Sequence, residues 1–440
     1  MKLPRTLGTL ALVFVLFFCT SGGAFTTETL VATVGPGFAL AILVAVPLLW
    51  SLPEVLIIGE LASMLPEEGG YYRWVRRAFG PFWAFQNAWL TWAYSLVDMA
   101  LYPVLFNQYL AFFFPHLGRW TQWAISLAVI WTATVINLRG ARPVGRVSIA
   151  TGVFILLGFL ALSVAAVPHM THVPWLPFAK AGQGTLGAIG VGLSLALWNY
   201  TGWDNASTVQ GEVRDASRSY PRALAFALPL VMLGYLVPLC TTLAASDWNA
   251  WHEGGWPAIA QASAGAFGPL LATWIALAGL VSAVSLFNAL LMAYSRVPLA
   301  MADDGLLPHA LARVDRHGTP RTAVIASAVC YSAFALMQLQ WLVVADVFLY
   351  ALALFLEFGA LLALRRREPD LRGAFRIPLG TAGVAVLAAL PVAILGLVVW
   401  LETKDAEFGA PAIIGALVTV ALGPLAYAAA RRFVGTAAAQ

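Results

Sequence analysis

The chain has very little charge. Its 440 residues include 25 Lys and Arg and 21 Asp and Glu, so only 10% of the sequence is charged. A soluble domain carries about 25%, and too few ionic groups remain here to cover a surface in water. Cysteine is scarce as well. Cys19, Cys240 and Cys330 all lie in apolar runs, a spacing that excludes a disulfide framework or a thiolate metal site. The six histidines form no cluster. With no nucleophile–base set and no ligand set, neither an enzyme nor a cofactor is expected. The net charge of +4 calls for no nucleic-acid partner, because its placement along the chain accounts for it.

Apolar residues are abundant. Hydrophobic residues make up 60% of the chain and the mean hydropathy is +0.81, which predicts a polytopic protein in a lipid bilayer. Runs of about 20 apolar residues fall at 7–33, 36–64, 81–113, 120–138, 143–167, 186–211, 221–245, 268–299, 322–340, 342–364, 380–401 and 410–430. About twelve transmembrane helices are therefore expected. Every second loop is basic. Arg73, Arg76 and Arg77 follow the second run, and Arg139, Arg142 and Arg146 follow the fourth. Arg214, Arg218 and Arg222 follow the sixth, and Arg313, Arg316 and Arg321 the eighth. Arg365, Arg366, Arg367, Arg372 and Arg376 follow the tenth, and Arg431 and Arg432 the twelfth. Only Arg119, Lys180 and Lys404 fall on the other side. Positive loops stay inside, so both termini are expected in the cytoplasm, with the chain in a plasma or bacterial inner membrane.

The first run is interrupted at Ser21-Gly22-Gly23, within LFFCTSGGAFTTE. A signal-peptide cleavage site is one reading. Cleavage after residue 24 would leave eleven spans starting from the outside, against the charge pattern, so the span is expected to be kept. A helix broken inside the bilayer leaves backbone groups unpaired at several kcal/mol each, unless they are buried in protein or face a watery cavity. The sixth run holds a matching interruption, WNYTGWDN, with apolar helix to Trp198, a break at Asn199-Tyr200-Thr201-Gly202 and polar helix expected from Asp204. Broken spans at corresponding places of two halves point to a transporter's central site. The two halves are residues 1–167 and 186–365, two five-span repeats of opposite orientation that form a core over 1–365. Two additional helices occupy 380–440. The competing reading is that these glycines only let helices pack closely.

Several stretches then become recognisable: SGGAFTTE (21–28), LLWSLPEVLIIGELASMLPEEGGYYRWVRRAFGPFWAFQ (48–86), VDMALYPVLF (97–106), WNYTGWDNASTVQGEV (198–213) and LEFGALLALRRREPDLRGAFRIPLG (356–380). With these the chain resembles the amino acid–polyamine–organocation superfamily, and within it the proton-coupled polyamine uptake transporters. The resemblance implies an all-α, LeuT-like 5+5 inverted repeat plus two helices, working by alternating access. Several members of that superfamily carry a proton-shuttling lysine in the fifth helix. The fifth span here has none, and its Arg146 cannot deprotonate usefully, so a carboxylate must carry any coupled proton, with Glu54 and Asp98 as the candidates.

Acids inside a membrane mark function by default. Asp98 has Tyr94 and Tyr102 four residues to either side, with Asn87 and Thr91 on the same helical face. A carboxylate among aromatic rings suits an ammonium ion. Asp204 either caps the half-helix after the second break or meets the ligand, with Tyr200 and Trp203 expected to wall the site. Glu54 is either a proton carrier or the partner of a neighbouring polar group. Glu60 is expected to pair with an arginine at an inner gate, and Glu212 to gate beside Arg214. Glu28 lies on the outer half of the first span. Glu357 is expected in a buried pair, on the helix that ends in Arg365–Arg367, and Asp346 is expected to be solvated near the outer surface. Ser282, Ser285, Asn288 and Ser295 share one face of the eighth span. The expected substrate is a polyamine, carried with protons. The alternative is an amino acid permease, with backbone N–H groups around Ser21, Gly22 and Gly23 holding a carboxylate and carbonyls of Asn199 to Gly202 holding an amine. A transporter-like sensor would bind without flux. The protein is expected to be a monomer or a homodimer.

Overall fold

The computed structural model describes residues 4–180, 185–315, 318–335, 343–403 and 409–437. Lys2, Arg316, Lys404 and the junction of the ninth and tenth apolar runs lie outside them. Every named element among the described residues is helical, and a single isolated bridge joins Leu7 to Val213.

The first apolar run forms two helices, α1 (Thr9–Thr20) and α2 (Thr27–Val34). The second is one continuous span, in which α3 (Pro36–Val46) passes through a π-turn at Pro47–Ser51 into α4 (Leu52–Met64). Pro47 and Pro53 have no N–H to donate, so the wider turn falls where the helical bond pattern is already interrupted. A short helix, α5 (Gly70–Phe79), precedes α6 (Pro81–Leu110), α7 (Arg119–Asn137) and α8 (Ala141–Ala166). The sixth run forms α9 (Thr185–Trp198), a break and a 3-10 helix over Asn205–Glu212. Next come α10 (Ala216–Ala245), α11 (Trp256–Ser263), α12 (Gly268–Tyr294) and α13 (Arg296–Asp303), then α14 (Arg321–Phe334), α15 (Val343–Arg367), α16 (Thr381–Glu402) and α17 (Gly409–Ala437).

Among the described residues, seven helices are long and apolar enough to cross a bilayer: 36–64, 141–169, 216–245, 265–303, 343–367, 381–402 and 409–432. Shorter apolar helices cover Thr9–Thr20, Ile189–Trp198 and Arg321–Phe334. α6 and α7 are 30 and 19 residues long, but their many Trp, Tyr and amide side chains lower their hydropathy. Large exposed side chains along the spans are apolar, such as Leu160 and Val164 on α8, Phe226 and Leu233 on α10, and Leu425 on α17, as lipid contact requires.

Both expected interruptions are present. α1 ends with the N–H groups of Ser21 and Gly22 donating to Phe17 O at 2.8 and 3.2 Å. Gly22 then takes φ +72°, a left-handed conformation that favours glycine. Ser282 from α12 donates to Gly22 O at 2.6 Å and locks the bend. In the second break Gly202 takes φ +100°, and a Cβ there would lie 2.3 Å from Cys19 O. The two breaks therefore press on each other. Thr26 Oγ1 also donates to Asn199 Oδ1 at 2.8 Å. After the second break the chain tightens into a 3-10 helix, where the sequence had suggested ordinary helix, because Asn205 and Thr208 turn their polar groups inward onto neighbouring backbone and tyrosines.

Candidate functional site

Beside the crossed breaks lies a narrow, partly open chamber with a cavity volume of about 30 Å³. Of the residues singled out in the sequence, Ser21, Tyr94, Asp98, Tyr102, Asn199 and Gly202 line it. Asp98 is buried near the middle of α6. Tyr102, one turn along, donates to its Oδ1 at 2.5 Å, and Tyr294 from the end of α12 donates to Oδ2 at 3.0 Å. Trp198 stacks on Tyr102 with ring centroids 6.5 Å apart. Tyr94 turns to Asn205 Oδ1 at 3.2 Å rather than to Asp98. Asp346 lines the same chamber and is buried, with Oδ1 unpartnered. The expectation of a solvated Asp346 is therefore corrected: the first turn of α15 is carried inward, where Asp346 feels the charge of Asp98. Among the described residues no lysine or arginine lines this chamber.

The broken backbone is well occupied. The N–H groups of Ser21 and Gly22 go to Phe17 O, and that of Gly23 goes to Ser21 Oγ at 3.1 Å. Asn199 O accepts from Tyr235, and Tyr200 O accepts from Trp203 Nε1 and Ser51. Tyr200 and Trp203 are not in the chamber wall. Tyr200 donates to Leu43 O and packs its ring on Tyr235, while Trp203 folds back onto Tyr200 O. Both satisfy their polar tips behind the break, as buried aromatics with donors do. Gly22 and Gly23 also stand behind the wall rather than in it, and shape the bend.

A second polar centre adjoins the chamber. Tyr350 on α15 lines the chamber and lies 2.5 Å from Glu54 Oε1 and 2.7 Å from Asp204 Oδ1. Its oxygen accepts the N–H of Gly202 at 2.8 Å. Glu357, two turns along α15, sits beside Asp204 and accepts from Asn87 Nδ2 at 3.3 Å. Glu357 forms no ion pair with a described residue and is instead paired with Asp204, while Arg365 is held by Glu60. Asp204 does not line the chamber and meets it only through Tyr350.

The arginine-rich loops meet at one end of the bundle, the basic end. Glu60 and Arg365 form a bidentate pair with bonds of 2.7 and 2.5 Å, and Glu60 also accepts Ile377 N–H at 2.8 Å. Glu212 pairs with Arg296, at 2.8 and 3.1 Å, rather than with the Arg214 suggested by sequence proximity. Arg214 instead lies against Gly8. The N–H groups of Thr6 and Leu7 donate to Glu212 O, and that of Arg214 to Leu7 O. Arg73 and Arg76 hold Asp304, and Arg77 holds Glu368. At the opposite end Glu28 accepts from Tyr109 at 3.2 Å and from the N–H of Gly254 at 3.1 Å.

Sequence reading missed Tyr294, Tyr350, Asn205 and Arg296. Asn205 stood beside the second break in a stretch already singled out, but its partners come from distant helices, and the other three lie on largely apolar stretches. Tyr350 and Arg296 stood out only as polar groups on otherwise oily helices.

Residues 6–422 match the family described as amino acid permease. The chain is 36% identical over 402 residues to the polyamine transporter PUT1 of Oryza sativa subsp. japonica, covering 91% of this chain and 74% of that protein. It is 34% identical over 392 residues to the polyamine transporter RMV1 of Arabidopsis thaliana, covering 88% and 79%. A transporter of Legionella pneumophila of uncharacterised function is 24% identical over 380 residues, covering 79% and 80%. With its apolar spans, its crossed helix breaks and a family match along nearly its whole length, the chain is a multi-pass membrane transporter and belongs to the amino acid permease family.

Proposed function

We propose that the protein imports a polyamine by alternating access, coupled to protons, with Asp98 as the ammonium site. The observation that carries this is Asp98, held by two tyrosine hydroxyls and flanked by Trp198, in a chamber that also contains Asp346 and, among the described residues, no cationic side chain. Two separated acids suit a diamine, and the aromatic rings add cation–π attraction. The names of the plant relatives support the same substrate class. An amino acid needs a seat for its carboxylate, and the N–H groups of Ser21, Gly22 and Gly23 are already engaged. A dication entering a cell at roughly −100 mV gains about 4.6 kcal/mol, which favours import.

Support for a LeuT-like core over 1–365 comes from the contacts. Under an exchange of the first five spans for the second five, neighbours map onto neighbours. α6 packs on α15 as α12 packs on α8, α4 packs on α10, α6 on α12 and α7 on α14, and the two broken spans meet. α16 and α17, within 380–440, are two additional helices on this reading, for twelve spans in all. The basic end faces the cytoplasm, where both termini lie, in a plasma or inner membrane.

The test is uptake of labelled putrescine or spermidine into proteoliposomes held negative inside. Saturable uptake is expected, competed by other polyamines and not by neutral amino acids. Asp98→Asn should lower it at least about thirtyfold, the cost of leaving a desolvated charge without its partner. Unchanged uptake in Asp98→Asn removes the cation site from this position, and competition by neutral amino acids alone overturns the substrate class.

A further inference from the structure

We propose that the coupled proton is held by Glu54 and Asp204, bridged through the hydroxyl of Tyr350 with Glu357 alongside, at a site separate from the substrate carboxylate Asp98. The inference rests on the proton-coupled reading above and assigns its ion site.

Glu54 on α4, Asp204 after the second break and Glu357 on α15 are all buried. None of them forms an ion pair with a described residue, whereas the buried Glu60 and Glu212 each hold an arginine. The charged and titratable neighbours are known. Tyr71, Tyr94, Tyr220 and Cys19 lie within electrostatic reach of Asp204, Trp50 lies against Glu54, and Asn87 bonds Glu357. The nearest arginine along α15, Arg365, is neutralised by Glu60. Buried carboxylates this close, with no cation among them, cannot all be ionised.

The hydrogen-bond count is more specific. A phenol has one proton to donate. Tyr350 stands within donating distance of both Glu54 Oε1 and Asp204 Oδ1, and its oxygen already accepts from Gly202 N–H. Tyr350 can give its proton to one carboxylate only. The other must then be a neutral acid that donates its own proton to the second lone pair of the phenol oxygen. This arrangement therefore contains one carboxyl proton. Glu54 Oε2 and Glu357 Oε2 are buried beside it without a hydrogen bond of good geometry, so each acid keeps an oxygen free to carry a proton. Among the described residues no three acidic, histidine or cysteine side chains are gathered closely enough to ligate a metal ion, and a proton fits the spacing.

The same hydroxyl gives the proton a mechanical role. Tyr350 joins α15 to α4 through Glu54 and to the second break through Asp204 and Gly202, and its ring forms part of the chamber wall. Loss of the proton sets two anions against one donor, and their repulsion loosens the three elements together. Binding a proton from one side and releasing it to the other thus changes the wall of the substrate chamber, with no bond made or broken except to the proton.

Three measurements on the full-length protein in proteoliposomes test this. They are putrescine uptake driven by a pH gradient at zero potential, putrescine–putrescine exchange without a gradient, and putrescine binding across pH. Glu54→Gln is expected to keep exchange but to bring gradient-driven uptake down to the no-gradient level. Binding should become independent of pH. Tyr350→Phe removes the bridge and keeps every carboxyl, so the pH of half-maximal binding should move by a unit or more. Gradient-driven uptake that persists in Glu54→Gln, or an unmoved profile in Tyr350→Phe, overturns the assignment. If the unaltered protein exchanges putrescine but ignores the gradient, proton coupling itself is wrong. If it does not take up putrescine at all, the substrate reading fails first.

Discussion

Gly202 has no room for a methyl group. Its φ of +100° lies where an L side chain costs about 1–3 kcal/mol, and a Cβ would press on Cys19 O at 2.3 Å. Gly202→Ala should therefore push the breaks apart. Detergent-solubilised protein should melt several degrees lower, and transport should be lost. Gly415→Ala is the control, because a Cβ there meets nothing within 4 Å and alanine is the better helix former; its melting temperature should hold or rise. Equal melting of the two variants would mean that the crossing of the breaks contributes nothing to stability. The identity of this glycine was readable in the sequence as part of an interruption. Its partner was not, because Cys19 carries no chemical sign that its carbonyl would abut a residue 183 positions away.

α4 and α15 form a two-helix unit with polar contacts at two levels. Glu54 and Tyr350 meet beside the chamber, and Glu60 and Arg365 meet toward the basic end. Six residues of helix separate Glu54 from Glu60, about 9 Å along the axis, so a shift at one level is transmitted to the other. Arg365 and Glu60 are almost fully buried, at 2% and 1% side-chain exposure. Removing one member of such a pair leaves an uncompensated buried charge, at about 3–5 kcal/mol. Arg365→Ala should destabilise the protein by that order. The double variant Glu60→Gln/Arg365→Met should recover much of the loss in thermal unfolding, and a double variant no better than Arg365→Ala alone would show that the pair is not the source of the effect. An ion pair between Glu60 and some arginine was legible from the sequence, since an acid near the end of an apolar run requires a partner. The choice among Arg365, Arg366 and Arg367, and the choice of Arg296 over Arg214 for Glu212, depended on which side of each helix faces inward.

At the scale of the whole molecule, the ion pairs and the 6–8/212–214 backbone contacts tie the basic end together. On the other side, a vestibule lined by Thr29, Leu101, Gln108 and Glu253 shares Thr26, Leu105 and Trp198 with the chamber. This conformation thus leads toward the face away from the arginines. In a variant without Cys19, Cys240 and Cys330, Gln108→Cys should react with a membrane-impermeant thiol reagent added outside intact cells, and a bound polyamine should slow the reaction. Labelling only from inside-out vesicles would reverse the proposed orientation.

The sequence alone determined the membrane class and the two breaks, because low charge, apolar run length and glycine-rich interruptions act locally through the cost of bare backbone in lipid. It also singled out the acids that stand inside the membrane. Only the tertiary structure decided how those acids divide. Asp98 and Asp346 line the chamber, Glu54, Asp204 and Glu357 cluster around Tyr350, and Glu60 and Glu212 hold arginines. A carboxylate's role in a low-dielectric interior is set by its nearest donor or cation, and that neighbour arrives from a distant helix.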